Sequence, residues 1–429
     1  MFMDIKRHLS RKSSLFLGLF FIGITAYLLT RRSVDFYPFY NIARNILYLG
    51  KDLYGPNPAF SYPPFFYCIV SFFAVFTEKI ALLFWTIFNI CLITSAYMLI
   101  VKIVAFFEPA NTRLVQDASL KRKAIVILPF MVMLGIVADN LNLGQVNPLT
   151  FFLSVLSIYA ALKEKHIISG VSLGIAIAIK VTPALMILFF LIKGYRKFLP
   201  WCLLTVLACF TVIPLAFFGY ENTLKFTSDF FNLVILPFFR GDITIRETSG
   251  FWHSNQSFDG FFGRHFTPFG REYYGAAHMF DPAFLDLAGA KKLSLAVKIV
   301  TSIILLYAVR GSIKSNQGLL KFEFAAGFIF ILLVSPASWL NHYITVMFAY
   351  YVAVNYITSK GNNELNKKIL GGCLMACCAL TATGALYLSV DLPKVIQSMS
   401  GMFLGHLILF IGIVTVLIRE KKSIHRGKQ

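Results

Sequence analysis

An all-α bundle of about twelve membrane-spanning helices is the fold this sequence predicts, and three observations carry the prediction. Of 429 residues, 57% are hydrophobic and only 14% charged, where a soluble domain carries roughly a quarter charged residues. Apolar stretches long enough to cross a hydrocarbon core of ~30 Å recur from end to end, among them Ser14 to Thr30, Phe198 to Phe218 and Met402 to Ile418. These runs are continuous rather than alternating, which selects helices over the strands of a barrel. No polar block is long enough to form a soluble domain, so residues 1–429 read as a single integral membrane domain.

The first apolar run follows the basic residues Lys6, Arg7, Arg11 and Lys12 and ends in Arg31-Arg32 with no small-x-small cleavage site. It reads as an uncleaved signal anchor with its N-terminus inside. Further basic clusters stand between apolar runs at Lys163/Lys165, at Lys193/Arg196/Lys197 and at Arg419/Lys421/Lys422/Arg426/Lys428. This is the positive-inside pattern, and it accounts for the net charge of +20 without a nucleic-acid partner. Membrane lipids are the expected surroundings.

Orientation follows from the tail. With the C-terminal cluster inside, Asp391-Leu-Pro-Lys394 is outside, Lys360–Lys368 inside, Ser335–Tyr343 outside and Arg310–Lys321 inside. The stretch of about 70 residues at 219–290 is then outside, as is the loop at about 31–62. A structureless loop as long as 219–290 is usually functional. The expected location is the plasma membrane, multi-pass, with both termini cytoplasmic. Two segments depart from simple counting. Ile167–Lys193 is interrupted at Lys180-Val-Thr-Pro183 and reads as two short helices. Tyr62–Phe107 reads as Phe65–Phe76 plus Ile80–Phe107, one of them re-entrant or interfacial. All seven cysteines lie in apolar segments, and Cys373 and Cys377, four apart, read as helix packing, so no disulfide framework is expected.

Polar groups near a membrane cost a few kcal/mol to insert, so their positions are informative. Four clusters fall on the outer side. Val34-Asp35-Phe-Tyr-Pro-Phe-Tyr40, Leu49-Gly-Lys-Asp-Leu-Tyr54 and Tyr62-Pro-Pro64 follow the first helix. There Asp35, collared by aromatic rings, is either a general base or an interfacial carboxylate paired with Arg31 or Arg32. In Leu143-Gly-Gln-Val-Asn147, Gln145 and Asn147 either bind sugar hydroxyls or cap the helix starting near Pro148. Lys180, at a helix break, either meets an anion such as phosphate or snorkels. In Ser335-Pro-Ala-Ser-Trp-Leu-Asn-His-Tyr343, His342 either handles protons or phosphate, or is a solvated turn residue. Asn255-Gln256-Ser257 in the long loop also fits a glycosylation sequon.

Taken in order, Asp-Phe-x-x-x-Tyr with Gly-Lys-Asp-Leu-Tyr and Tyr-Pro-Pro, Gly-Gln-Val-Asn, Gly-x-Ala-x-Ala-x-Lys-x-Thr-Pro, Asn-Gln-Ser and Ser-Pro-x-Ser-Trp-x-x-His resemble glycosyltransferase family 87. That family belongs to the C-type, multi-spanning glycosyltransferases, whose best-known members here are mycobacterial mannosyltransferases elongating phosphatidylinositol mannosides. The resemblance implies a helix bundle of the C-type glycosyltransferase kind with the site in its outer-face loops. It implies transfer of a hexose, with mannose a candidate, from a polyprenyl-phosphate donor to a lipid or glycan acceptor. Asp35 falls on the family's catalytic acid and His342 on its histidine. Lys180, Gln145, Asn147, Tyr62, Asn255, Gln256, Arg264 and Asn341 are the expected substrate-binding residues. Asn341 stands where relatives often carry a second histidine, and Val181 where a proline is common. An inverting single displacement needs one base, no cofactor is expected, and no carboxylate-rich metal cage is visible, although the acids of the outer loop leave a cation open. The competing readings are a cell-envelope flippase or polymerase and a secondary transporter. The absence of internal repeats and the gathering of polar clusters at one face count against transport.

Overall fold

The computed structural model describes residues 11–30, 33–50, 52–54, 62–107, 127–236, 254–268, 285–311, 317–359, 361–381 and 396–426, and no strand occurs among them. The chain resolves into two units, one of 1–99, 137–191 and 195–243, the other of 100–136, 192–194 and 244–429.

The first unit holds α1 (Arg11–Leu29), α2 (Phe36–Leu49), α3 (Pro64–Ala74) and most of α4 (Glu78–Phe106). It continues with most of α5 (Leu134–Leu143), α6 (Asn147–Leu162), α7 (His166–Ile179), a 3₁₀ turn at Thr182–Ala184 and all but the last residue of α8 (Leu185–Ile192). It closes with α9 (Leu199–Phe210), α10 (Val212–Phe218) and α11 (Tyr220–Phe230). Its core is aromatic. Phe39 meets Phe66 edge-on at 5.0 Å, and Phe36 stacks on Trp85 at 5.5 Å, the offset and T-shaped geometries that ring quadrupoles favour. The seam between α7 and α9 needs small residues: a Cβ on Gly174 would lie 2.7 Å from Thr205 Cβ and 2.8 Å from Cys202 O. With Gly170 one turn earlier, this is the small-x-x-x-small stripe that lets helices approach where no hydrophobic effect drives them together.

The second unit holds α12 (Phe258–Phe266), α13 (Leu287–Val309), α14 (Leu320–Val334), a 3₁₀ segment at Leu340–Val346, α15 (Met347–Thr358), α16 (Glu364–Thr381) and α17 (Gly401–Arg426). Cys373 and Cys377 do pack: a Cβ on Gly412 would stand 2.8 Å from Cys373 Sγ, and one on Gly405 3.1 Å from Cys377 O. At the end of α13 two lysines converge on one glutamate. Lys193 and Lys421 reach Glu323 at 2.5 and 2.6 Å, each of the three side chains nearly or fully shielded. Lys421 also donates to Ala308 O at 2.6 Å and Arg310 O at 3.0 Å, and Lys193 to Val309 O and Gly311 O. The orphan carbonyls of the last turn of α13 are thus capped by cations, at the helix end where positive charge is favoured. The sequence reads both lysines only as members of inside basic clusters, Lys193 between apolar runs and Lys421 in the C-terminal tail.

Four helical stretches among the described residues are long and apolar enough to cross a membrane: Glu78–Phe106, Leu199–Phe218, Leu287–Val309 and Gly401–Ile424. Five shorter apolar helices accompany them, so the all-helical membrane class stands, with four full-length candidate spans among the described residues. The element Phe65–Phe76 becomes α3, whose 11 residues reach only ~16 Å at ~1.5 Å per residue. The stretch Gly219–Ala290 is not structureless in its described parts, which include α11 with a π-turn at Phe231–Ile235, and α12. Loop 31–62 likewise contains α2. Arg31, Arg32, Asp242, Glu272 and Asp391–Lys394 lie outside the described residues.

Candidate functional site

Asp35, Gln145, Asn147 and Lys180 each sit where a helix starts or stops. Asp35 occupies the residue before α2, and its main-chain N–H donates to Leu143 O at 3.0 Å, tying it to the end of α5. Just beyond, Gly144 turns the chain with φ +66°, and a Cβ there would meet Phe36 Cβ at 2.5 Å and Ser33 Oγ at 2.7 Å. Only glycine meets both demands. Trp85 Nε1 donates to Gly144 O at 2.8 Å and fixes the turn from α4.

This turn aims Gln145 at Asp35. Gln145 Nε2 donates to Asp35 Oδ2, Asn147 Nδ2 lies 3.5 Å from Gln145 Oε1 and 3.4 Å from Asn140 Oδ1, and Lys180 Nζ donates to Asn147 Oδ1 at 2.8 Å. Neither amide caps α6, whose preceding residue is Val146 with no side-chain cap. The result is a polar chain from carboxylate to ammonium, with Asp35, Gln145 and Asn147 each 5% exposed or less. Lys180 reaches it because α7 ends at Ile179, where Lys180 turns to extended backbone before the 3₁₀ turn. Asp35 lies outside the helices long enough to span a membrane, and burial pushes its carboxyl above the ordinary aspartate range. The Gln145 hydrogen bond and the Lys180 charge pull it back down.

Tyr62 packs on Phe39 at 5.2 Å and Phe66 at 4.5 Å, and its carbonyl accepts from Tyr54 OH at 2.5 Å. Asp52, the other described carboxylate in this loop, is half-exposed and paired with Lys225. Two residues here escaped the sequence reading. Trp85 is the strut just described, and Asp139 on α5 lies within electrostatic reach of Asp35. An acid inside an apolar stretch was the available signal for Asp139. Among the described residues no three His, Cys, Asp or Glu side chains gather in a group that could hold a metal ion.

In the second unit, His342 lies in the 3₁₀ segment after α14. Its Nδ1 accepts the main-chain N–H of Trp339 at 3.3 Å, and its ring stacks parallel to the indole. A neutral ring so held carries its proton on Nε2. Asn341 is buried beside it. Asn255 and Gln256 are fully buried and Arg264 is 1% exposed, so the sequon at Asn255 is closed to a glycosylating enzyme. Arg264 donates to Asn255 O and to Ser400 Oγ, both at 2.6 Å.

Compared with known proteins, residues 60–336 match the family model of glycosyltransferase family 87. The matched region includes Tyr62, Gln145, Asn147, Lys180, Asn255, Gln256 and Arg264; Asp35 precedes it, and Asn341 and His342 follow it. None of the curated proteins compared with the chain matches it.

Proposed function

The chain belongs to glycosyltransferase family 87, and from that premise we propose that this membrane glycosyltransferase moves one hexose from a polyprenyl-phosphate donor to a lipid or glycan acceptor at the outer face of the plasma membrane. The observation that carries the reading is the buried chain Asp35–Gln145–Asn147–Lys180, which joins a proton acceptor to a cation through two amides. A sugar phosphate needs both. Asp35 takes the acceptor hydroxyl's proton as its oxygen bonds to the anomeric carbon. The bond from that carbon to the phosphate oxygen breaks, the electron pair leaves with polyprenyl phosphate, and the Lys180 ammonium neutralises the leaving group. One carboxylate in the base role fits a single displacement with inversion. The amides of Gln145 and Asn147 link the carboxylate to the ammonium, and amide groups of this kind both donate to and accept from sugar hydroxyls. Tyr62 supplies an aromatic wall beside this chain. In the second unit, taken by itself, His342 is the candidate phosphate contact, since an imidazole N–H is a donor of the kind that a phosphate oxygen accepts.

The test offers purified protein radiolabelled polyprenyl-phosphate sugars together with lipid extract, and separates products by chain length and headgroup. Transfer of label from the polyprenyl phosphate is expected. Label transferred only from a nucleotide sugar would overturn the donor class.

A further inference from the structure

Asn255, Gln256 and Arg264 were expected from sequence to bind substrate, yet Asn255 and Gln256 bond main-chain groups of the segment that carries His342, and Arg264 bonds Asn255. Asn255 Nδ2 donates to Pro336 O at 3.0 Å, while Asn255 Oδ1 accepts the Ser338 N–H at 3.1 Å. The Gln256 N–H donates to Ser338 O at 2.7 Å, and Tyr343 OH donates to Gln256 O at 2.5 Å. Ser257 adds a bond to Asn255 Oδ1 at 2.9 Å and caps α12 by accepting the Gly260 N–H at 3.3 Å. Gly260 lets that helix approach, since a Cβ there would stand 2.9 Å from Asn255 Cγ. On the other side, Gln256 Nε2 donates to Gln397 O at 2.8 Å and Gln256 Oε1 accepts the Phe403 N–H at 3.2 Å, which fastens the first turn of α17.

From this geometry we infer that Asn255, Gln256 and Arg264 are positioning residues that clamp the Pro336–Tyr343 segment and thereby orient His342, and are not ligands of the sugar or its phosphate. The clamp closes on Ser338, the residue before Trp339, and the Trp339 N–H is what holds His342 Nδ1. Arg264 secures the clamp from behind through Asn255 O. The Asn255 amide bonds through both its nitrogen and its oxygen, and a buried side chain that satisfies two main-chain groups of one segment fixes them more firmly than the backbone does alone. The inference rests on the part given to His342 above.

The test reads the clamp with and without turnover. Diethyl pyrocarbonate acylation of His342, followed by mass spectrometry, reports the ring's freedom in wild type, in Asn255→Ala and in the gentler Tyr343→Phe. Acylation of His342 several-fold faster in Asn255→Ala, with Tyr343→Phe between, is expected; unchanged reactivity in both overturns the clamp whatever the enzyme's substrate. In the transfer assay, Asn255→Ala should lower kcat by about 10- to 100-fold, as loss of orientation does, with donor KM nearly unchanged. In a His342→Gln background the same substitution should cost almost nothing further, because it acts through that ring. A raised donor KM with kcat kept would mark Asn255 as a ligand and overturn the proposal. So would an equal loss in both backgrounds. Absence of any transfer by wild type would instead strike the donor reading, and leave the acylation result to decide the clamp.

Discussion

Replacing Asp35 by Asn changes one atom and removes the proton acceptor. Gln145 Nε2 donates to Asp35 Oδ2, and an asparagine can turn its carbonyl toward that donor, so the amide relay to Asn147 and Lys180 survives. The main-chain bond from residue 35 to Leu143 O is untouched, and the substitution removes a buried charge rather than creating one. Thermal unfolding should therefore hardly move. Asp35 favours the charged form of Lys180 against burial, and the donor phosphate supplies a negative charge in its place, so donor binding should survive the substitution. Turnover should collapse, since loss of a general base costs about 10²–10⁴-fold, equivalent to about 3–5 kcal/mol of barrier. The control is Asp52→Asn, which removes only a half-exposed pair with Lys225; such pairs are worth about 0–1 kcal/mol, so the rate should fall less than about 5-fold. Initial rates at saturating and limiting donor separate the two cases. The pH profile adds a signed check: only the carboxylate form is a base, and burial raises the pKa, so wild-type kcat should fall as pH drops through a value above the ordinary aspartate range and level off above it. Near wild-type turnover by Asp35→Asn, or an acid limb at the ordinary aspartate pKa, would refute the reasoning.

Other perturbations have equally definite outcomes. Lys180→Met should raise donor KM sharply without changing the unfolding temperature, and unchanged donor dependence would remove Lys180 from the site. Gly144→Ala forces a side chain into left-handed backbone and into Phe36 and Ser33, costing about 1–3 kcal/mol and misaiming Gln145; a thermal melt and a rate assay should both fall. Cysteines placed at Asp242 or Glu272 should react with an impermeant reagent in intact cells; labelling only after lysis would invert the topology.

How far these features were legible depends on the range over which the signal acts. The breaks at Lys180-Val-Thr-Pro183 and Ser335–Tyr343 and the helix start at Asn147 were visible because proline and polar residues interrupt apolar runs locally. Helices α2, α11 and α12 were hidden because they are amphipathic and aromatic rather than uniformly apolar, which a hydropathy reading takes for loop. Gln145 and Asn147 were recognised as polar, but their partners lie 110 and 33 residues away, and no local pattern chooses between a cap and a relay. For Asn255, Gln256 and Arg264 the residue types were noticed and their bonding to main-chain groups was not. Which partner a buried amide finds is decided by tertiary packing.

The three-way ion cluster at the end of α13 has a consequence for how this chain can change over time. Replacing Glu323 alone would strand two buried ammonium groups, and replacing either lysine would leave carbonyls of α13 without a donor; breaking such a cluster costs about 3–5 kcal/mol, while exchanging all its members for well-packed apolar residues is often neutral or stabilising. The intermediate genotypes are therefore worse than both end points. Lys193, Glu323 and Lys421 lie far apart in sequence, so a single mutational event cannot carry all three across. A lineage holding this trio is kept there by the depth of the valley around it rather than by any merit of charge over oil, and sequences descended from it should keep all three or lack all three.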